Sequence, residues 1–489
     1  MAPNETRTTS HNRFRRVAPV ALLEVCAAML TVRRGFIASA VLALATVGAA
    51  GRPSIRRTPV RVVFAPTCAA PSVGHPAPAA DSPNWPDWLL RQHRYGDLDA
   101  WMAAAGAHGA VSPVTLQYVR GVLANKRNQN AASIRLLEPL VPRLDPVADS
   151  ARVVVALKTL ADDYLKTYRY GDAADALARL SREYGAAMAP ADRADLHNDI
   201  AFRRALRGAP PQRTTVSSSF TVALRRDALG LREVTVHVGR DSSGWIFDTG
   251  ANVSTITDGM ARRLGLHVIT TGAATKGITG ASVPNRLAVI PEMRFGGARV
   301  RNAIVIVLPD SALDIPQAHF QITAILGYPV LESLGRLAIG TDSLGVDLRT
   351  GESPSDSSNL FLDNLSPVVA ATIGDSTRLF HFDSGADATL LTVRFCRAYA
   401  SLLEGLDTTS IGIGGAGGAQ RYVGYRIPEL PVVIGGQRAE LDSVFVLRDT
   451  TRSPFESYFG NLAGNLAARF GGYTIDFRAM TFRLGAAFR

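Results

Sequence analysis

Cysteine is scarce: the 489-residue chain has three, Cys26, Cys68 and Cys396. They form no C-x-x-C pair and no Cys/His cluster, so no metal site or cofactor is indicated. Nothing in the sequence places Cys68 beside Cys396, so a disulfide between them is not expected. Charge is sparse too, at 19% of residues, which argues against a disordered or coiled-coil chain. The net charge of +11 is concentrated in residues 1–62, which hold ten arginines and two acids. The body is therefore near neutral, and nothing in it calls for nucleic acid. No apolar run reaches the ~20 residues of a spanning helix.

Apolar residues (47%) and 43 glycines suit a β-rich globular body with a sizeable core. Arg33-Arg34 precede an uncharged run, 35–50, that ends in small residues, the layout of a secretory leader. Arg33-Arg34-Gly35-Phe36-Ile37 fits a twin-arginine export signal, and an ordinary Sec signal fits equally well. Met29 is an alternative start that would give a conventional leader. The expectation is an exported chain, periplasmic or secreted, with no membrane span beyond this segment. Residues 51–83, rich in Pro, Ala and Ser, read as a flexible linker.

Residues 84–208 carry helical periodicity. Val154, Leu157, Leu160, Ala161 and Tyr164 fall on one face. A phrase at 94–101 recurs at 169–176, with a weaker echo from Arg127. Gly96-Asp97 and Gly171-Asp172 read as turn-and-cap pairs between helices. The pattern resembles tetratricopeptide-like hairpins. It implies either a docking platform for a protein partner or a helical cap on the β-rich body.

From about residue 216 the pattern shortens to alternating runs such as Val234, Val236 and Val238. This region contains itself twice, at 216–350 and 360–489. Phe247-Asp248-Thr249-Gly250-Ala251-Asn252 matches Phe382-Asp383-Ser384-Gly385-Ala386-Asp387, 135 residues later. Each aspartate follows a glycine, Gly239 or Gly374, by nine residues. Glycine-rich turns at 277–280 and 412–415 also correspond. So do Ile325-Leu326-Gly327 and Leu462-Ala463-Gly464, with Tyr458-Phe459-Gly460 as a competing match. Each copy ends in a hairpin-like stretch, 337–348 and 473–484. Gly412 to Gly418 lacks the Lys-Ser/Thr ending of a phosphate loop.

One Asp-Thr-Gly is an ordinary turn after a strand. Two collinear copies suggest a pseudo-two-fold pair that brings two carboxyls to one axis. Two such charges cannot both ionise easily, so the pair holds one proton. One carboxylate can then act as base on a water while its protonated neighbour polarises a carbonyl. Gly250 and Gly385 allow a tight turn beside the pair, and Thr249 and Ser384 can bond across it. Ala251 and Ala386 bring no hydroxyl to the carboxylates, so the pair should keep its proton to mildly acidic or near-neutral pH. His381, two residues before Asp383, reads as structural or exposed, with tuning of the pair as the other option.

At these residues, over about 216–489, the chain resembles the retropepsin-like and pepsin-like aspartic peptidases, nearest a fused retropepsin dimer. The resemblance implies a bilobal all-β fold behind an α-helical hairpin domain, a multidomain α+β chain. It implies an endopeptidase acting through the dyad Asp248 and Asp383 on a peptide or protein substrate, with a monomer sufficient to build the site. It assigns Thr249, Gly250, Ser384 and Gly385 to support of the dyad. It assigns Asn252, Asp387 and the flap glycines Gly277, Gly280, Gly412 and Gly415 to substrate contact. Two other readings stand beside this one: a non-catalytic peptide-docking protein of the cell envelope, and an enzyme that processes its own leader or linker.

Overall fold

The computed structural model describes residues 44–45, 68, 77–108, 111–276, 282–315, 319–348, 358–415, 418–449 and 457–485. Most of the leader and most of the 51–83 linker, and also Gly277 and Gly280, lie outside the described residues. No described helix is long and apolar enough to cross a membrane.

Seven helices run from 85 to 205: α1 (Trp85–Arg91), α2 (Tyr95–His108), α3 (Pro113–Lys126), α4 (Asn130–Leu137), α5 (Ser150–Lys166), α6 (Tyr170–Tyr184) and α7 (Pro190–Ala205). Helix α3 starts on a Ser112 cap whose hydroxyl accepts from the Thr115 N–H, with Pro113 in the first turn. Val154, Leu157, Leu160, Ala161 and Tyr164 are all buried on α5. The recurring phrase works differently from the turn-and-cap reading. The left-handed residues are His93 and Tyr168, just before the phrase, and Asn128, the second residue of the weaker echo, and none is glycine. At each turn the next N–H reaches back five residues, as in Arg94 to the Leu89 carbonyl and Arg169 to that of Tyr164. Gly96 and Gly171 lie inside the first turn of the following helix. Asp97 and Asp172 accept from Arg94 and Arg169 at 2.6 Å. The middle copy aligns on Asn128, two residues beyond where matching Arg127 to Arg94 puts it.

The β region forms two sheets of the same wiring. In the first half the strands are β1 (Arg232–Val238), β2 (Asp241–Phe247), β3 (Ser254–Thr257), β4 (Val268–Lys276), β5 (Ser282–Phe295), β6 (Ala298–Leu308) and β7 (Ala324–Leu326). Two more, β8 (Arg336–Ile339) and β9 (Ser343–Asp347), close that half. The second half has β10 (Ser366–Ile373), β11 (Ser376–Asp383), β12 (Leu390–Leu391), β13 (Thr408–Gly415), β14 (Gly418–Ile434), β15 (Gln437–Leu447) and β16 (Gly460–Ala463), closed by β17 (Tyr473–Asp476) and β18 (Thr481–Leu484). The first order, β6-β3-β7-β2-β1, is repeated as β15-β12-β16-β11-β10. Parallel and antiparallel senses agree at each step. Strand β1 alternates buried and exposed residues, as its valines require. The end hairpins of the two halves pair with each other, Leu337 opposite Ile475, in a five-stranded sheet completed by Phe220–Ala223 beside β9. The halves are thereby locked side by side.

One apolar core runs from Leu89 in α1 to Leu484 in β18, so the helices and both sheets pack as one body. The three left-handed turns face the β region. His93 stacks on Tyr458 (ring centroids 4.6 Å apart), and Asn128 donates to Glu332 (2.7 Å) and to the Phe477 carbonyl (3.3 Å). Tyr168 accepts from Gln212. Lys126 pairs with Asp363 of the second half at 3.1 Å. Contrary to the sequence reading, Cys68 and Cys396 form a disulfide, across 328 residues of chain. It ties the middle of the 51–83 stretch to helix Val393–Ala398.

Candidate active site

Strand β2 ends in Trp245-Ile246-Phe247, all fully buried, and β11 carries Phe380-His381-Phe382, also buried, just before its last residue. Each apolar run drives its strand through the core and delivers the next residue, Asp248 or Asp383, to the contact between the halves. Both aspartates are buried.

The two turns interlock. The Thr249 N–H donates to Ser384 Oγ (2.9 Å), and the Ser384 N–H donates to Thr249 Oγ1 (3.0 Å). Each hydroxyl then donates onward to a carbonyl of the opposite strand: Thr249 to Phe382 (3.3 Å) and Ser384 to Phe247 (3.1 Å). Four crossed bonds around a local two-fold axis fix the register of the halves. A Cβ placed on Gly250 would lie 2.5 Å from Asp383 Cγ, and one on Gly385 would lie 2.6 Å from Asp248 Cγ. Glycine is therefore required at both positions, because each turn packs against the opposite carboxyl.

The carboxyls lie close together, each packed against the glycine of the opposite turn. Asp248 Oδ1 accepts from the N–H groups of Gly250 (2.8 Å) and Ala251 (3.2 Å). Asp383 Oδ1 accepts likewise from Gly385 (2.9 Å) and Ala386 (3.1 Å). Among the described residues no Lys or Arg is ion-paired to either acid. Burial pushes Asp248 up to about 6 against the pull of these N–H groups. Burial raises Asp383 as well. Such a pair holds one proton at mildly acidic pH, and its ionised member can take a proton from water.

Residues 233–330, which include Asp248, match the family model described as Aspartyl protease. Asp383 lies beyond the matched residues. Among solved structures, a retropepsin-like aspartic protease from Rickettsia conorii is 16% identical, with a TM-score of 0.20, and the similarity covers 26% of this chain and 91% of that one. No curated protein matches the chain significantly.

The other sequence-predicted residues are less alike. Asn252 accepts from Ser366 Oγ of the second half at 2.9 Å, whereas its counterpart Asp387 is exposed. Gly412 and Gly415 lie on the hairpin β13–β14, opposite Arg421 and Gly418. The predicted first-half turn falls between β4 and β5, whose last pair is Lys276 with Ser282. His381 is buried with its ring 4.6 Å from that of Tyr458, on the side of the helices.

The strand beside the dyad needs a correction. Ile325 and Leu326 lie opposite Ile246 and Phe247, and Asn461 and Leu462 lie opposite His381 and Phe382. The counterpart of Ile325-Leu326-Gly327 is therefore Asn461-Leu462-Ala463, one residue before the sequence match. Two residues near the dyad follow from this packing and were not foreseen. Asn461, 1% exposed, donates to Asp383 Oδ2 at 3.3 Å. Arg232, also buried, reaches across the halves to the Gly464 carbonyl at 2.9 Å. A polar residue in a strand where the other copy has Ile was the one available signal for Asn461.

Proposed function

We propose that the chain is an aspartic endopeptidase that hydrolyses peptide bonds with a water activated by Asp248 and Asp383. The observation that carries this reading is the interlocked pair of turns, in which each glycine packs on the other half's carboxyl. Two buried acids with no counter-cation are costly unless they share a proton, and a docking protein has no use for them. The ionised carboxylate takes a proton from water, the protonated one polarises the scissile carbonyl, and the proton passes to the leaving amine. Because the nucleophile is water, no covalent intermediate forms. The match of residues 233–330 to aspartyl proteases supports the reading.

We read the helices as a cap rather than a free docking platform, since their turns and core are spent on the β region. Export is supported by the leader pattern and by the Cys68–Cys396 disulfide, a bond that persists in oxidising compartments. The test is cleavage of a peptide library by purified wild type, Asp248→Asn and Asp383→Asn, read by mass spectrometry. Internal cuts made by wild type alone support the proposal. Peptide capture without cuts by all three proteins would replace it with a binding role, and cuts confined to the chain's own leader or linker would restrict it to self-processing.

A further inference from the structure

The two-fold relation that builds the dyad is broken at one buried position. On β7 the residue opposite the strand before Asp248 is Ile325; on β16 the equivalent residue is Asn461. Ile325 offers no hydrogen bond. Asn461 Nδ2 donates to Asp383 Oδ2 at 3.3 Å, while the corresponding oxygen, Asp248 Oδ2, is buried and has no protein donor. Oδ1 of each aspartate accepts from two main-chain N–H groups of its own turn.

We propose that Asn461 is a positioning residue that makes the two aspartates unequal, drawing the negative charge of the singly protonated pair to Asp383 and leaving the proton on Asp248. The physical reason is local. A carboxylate oxygen that accepts an N–H is stabilised as an anion. An oxygen without a donor is better satisfied by carrying the proton itself and donating it to its neighbour. Asp383 is thereby the base on water, and Asp248 is the acid that faces the scissile carbonyl. The proposal rests on the peptidase reading for these roles, but the location of the proton does not.

The test combines two readouts on the full chain. The first is the pH profile of kcat/KM for wild type and Asn461→Ile, which copies Ile325 into the second half. Loss of the donor should destabilise the singly ionised pair, so the acid limb should move up by about one pH unit. kcat should fall with KM little changed. The second readout, 13Cγ NMR titration of the aspartates, needs no activity. In wild type the Asp383 signal should ionise at lower pH than that of Asp248, and the gap should shrink in Asn461→Ile. If that variant does not fold, Asn461→Ala replaces it, and the wild-type titration still decides. An unmoved limb in a folded, active variant, a downward shift, or an Asp248 signal that ionises first overturns the assignment. An inactive wild type whose Asp383 ionises first sinks the peptidase reading and leaves the assignment of the proton standing.

Discussion

Two sets of carboxyls in this molecule sit in opposite settings. At the seam between the helices and the second half, Asp363 faces Lys126, and that cation holds it below the usual carboxylate range despite its partial burial. In the centre, Asp248 and Asp383 face each other with only N–H groups around them, and burial pushes both upward. An acid given a cation stays ionised and serves as a fastener. Two acids given no cation must keep a proton, which makes them chemically useful and costs stability when that proton leaves.

Breaking the crossed turns should have the largest effect on this contrast. Thr249→Val with Ser384→Ala strands two buried N–H groups, each worth about 1–3 kcal/mol, so urea unfolding should show a loss of roughly 2–6 kcal/mol. Next is Lys126→Met, which leaves Asp363 without its cation. Both side chains are partly exposed (18% and 28%). The expected loss is therefore about 2–3 kcal/mol rather than that of a fully buried pair. Adding Asp363→Asn should recover part of it.

The dyad should respond with the opposite sign. A buried acid raised to about 6 binds its proton more tightly folded than unfolded, so the stability it contributes falls as pH rises from about 4 to 6. Asp248→Asn should then gain on the order of 1–3 kcal/mol over wild type at pH 7.5 and little at pH 4, by denaturant melts at both. The smallest effect belongs to His93, which burial against Tyr458 pushes down to about 3. Its unfolded form takes up a proton below pH ~6.5 while the folded form does not, so stability is lost on acidification from there. The ring is half-buried, which limits the effect to about 1–2 kcal/mol at pH 4. His93→Asn, which keeps a residue that tolerates the left-handed turn, should flatten that acid-side decline.

These contrasts also mark what a sequence can reveal. The two aspartate turns were legible because each lies in one short run of strand, acid, hydroxyl and glycine, and because the run occurs twice. The buried face of α5 was legible for a similar local reason, its helical spacing. The register of β16 was not. Leu462-Ala463-Gly464 has the chemistry of Ile325-Leu326-Gly327, yet strand pairing selects the triplet that begins at Asn461. That choice is made by contacts with β11, some 80 residues away, and no local pattern encodes it. The Cys68–Cys396 bond was hidden for the same reason over a longer span. The helical turns misled differently: Gly96 and Gly171 drew the eye, while His93 and Tyr168 adopt the left-handed conformation without the residues that usually signal it. Those two side chains have contacts, with Tyr458 and Gln212, that offset a conformational cost of about 1 kcal/mol each.

The central claim is that Asp248 and Asp383 act as a single proton-sharing unit, and its most direct test is a double-mutant cycle on peptide hydrolysis. If the acids share one proton and one task, Asp248→Asn and Asp383→Asn should each lower kcat/KM by ~10²–10⁴-fold, and the double variant should be no worse than the poorer single one. Losses that multiply in the double variant, or a single variant that keeps wild-type activity, would contradict the account.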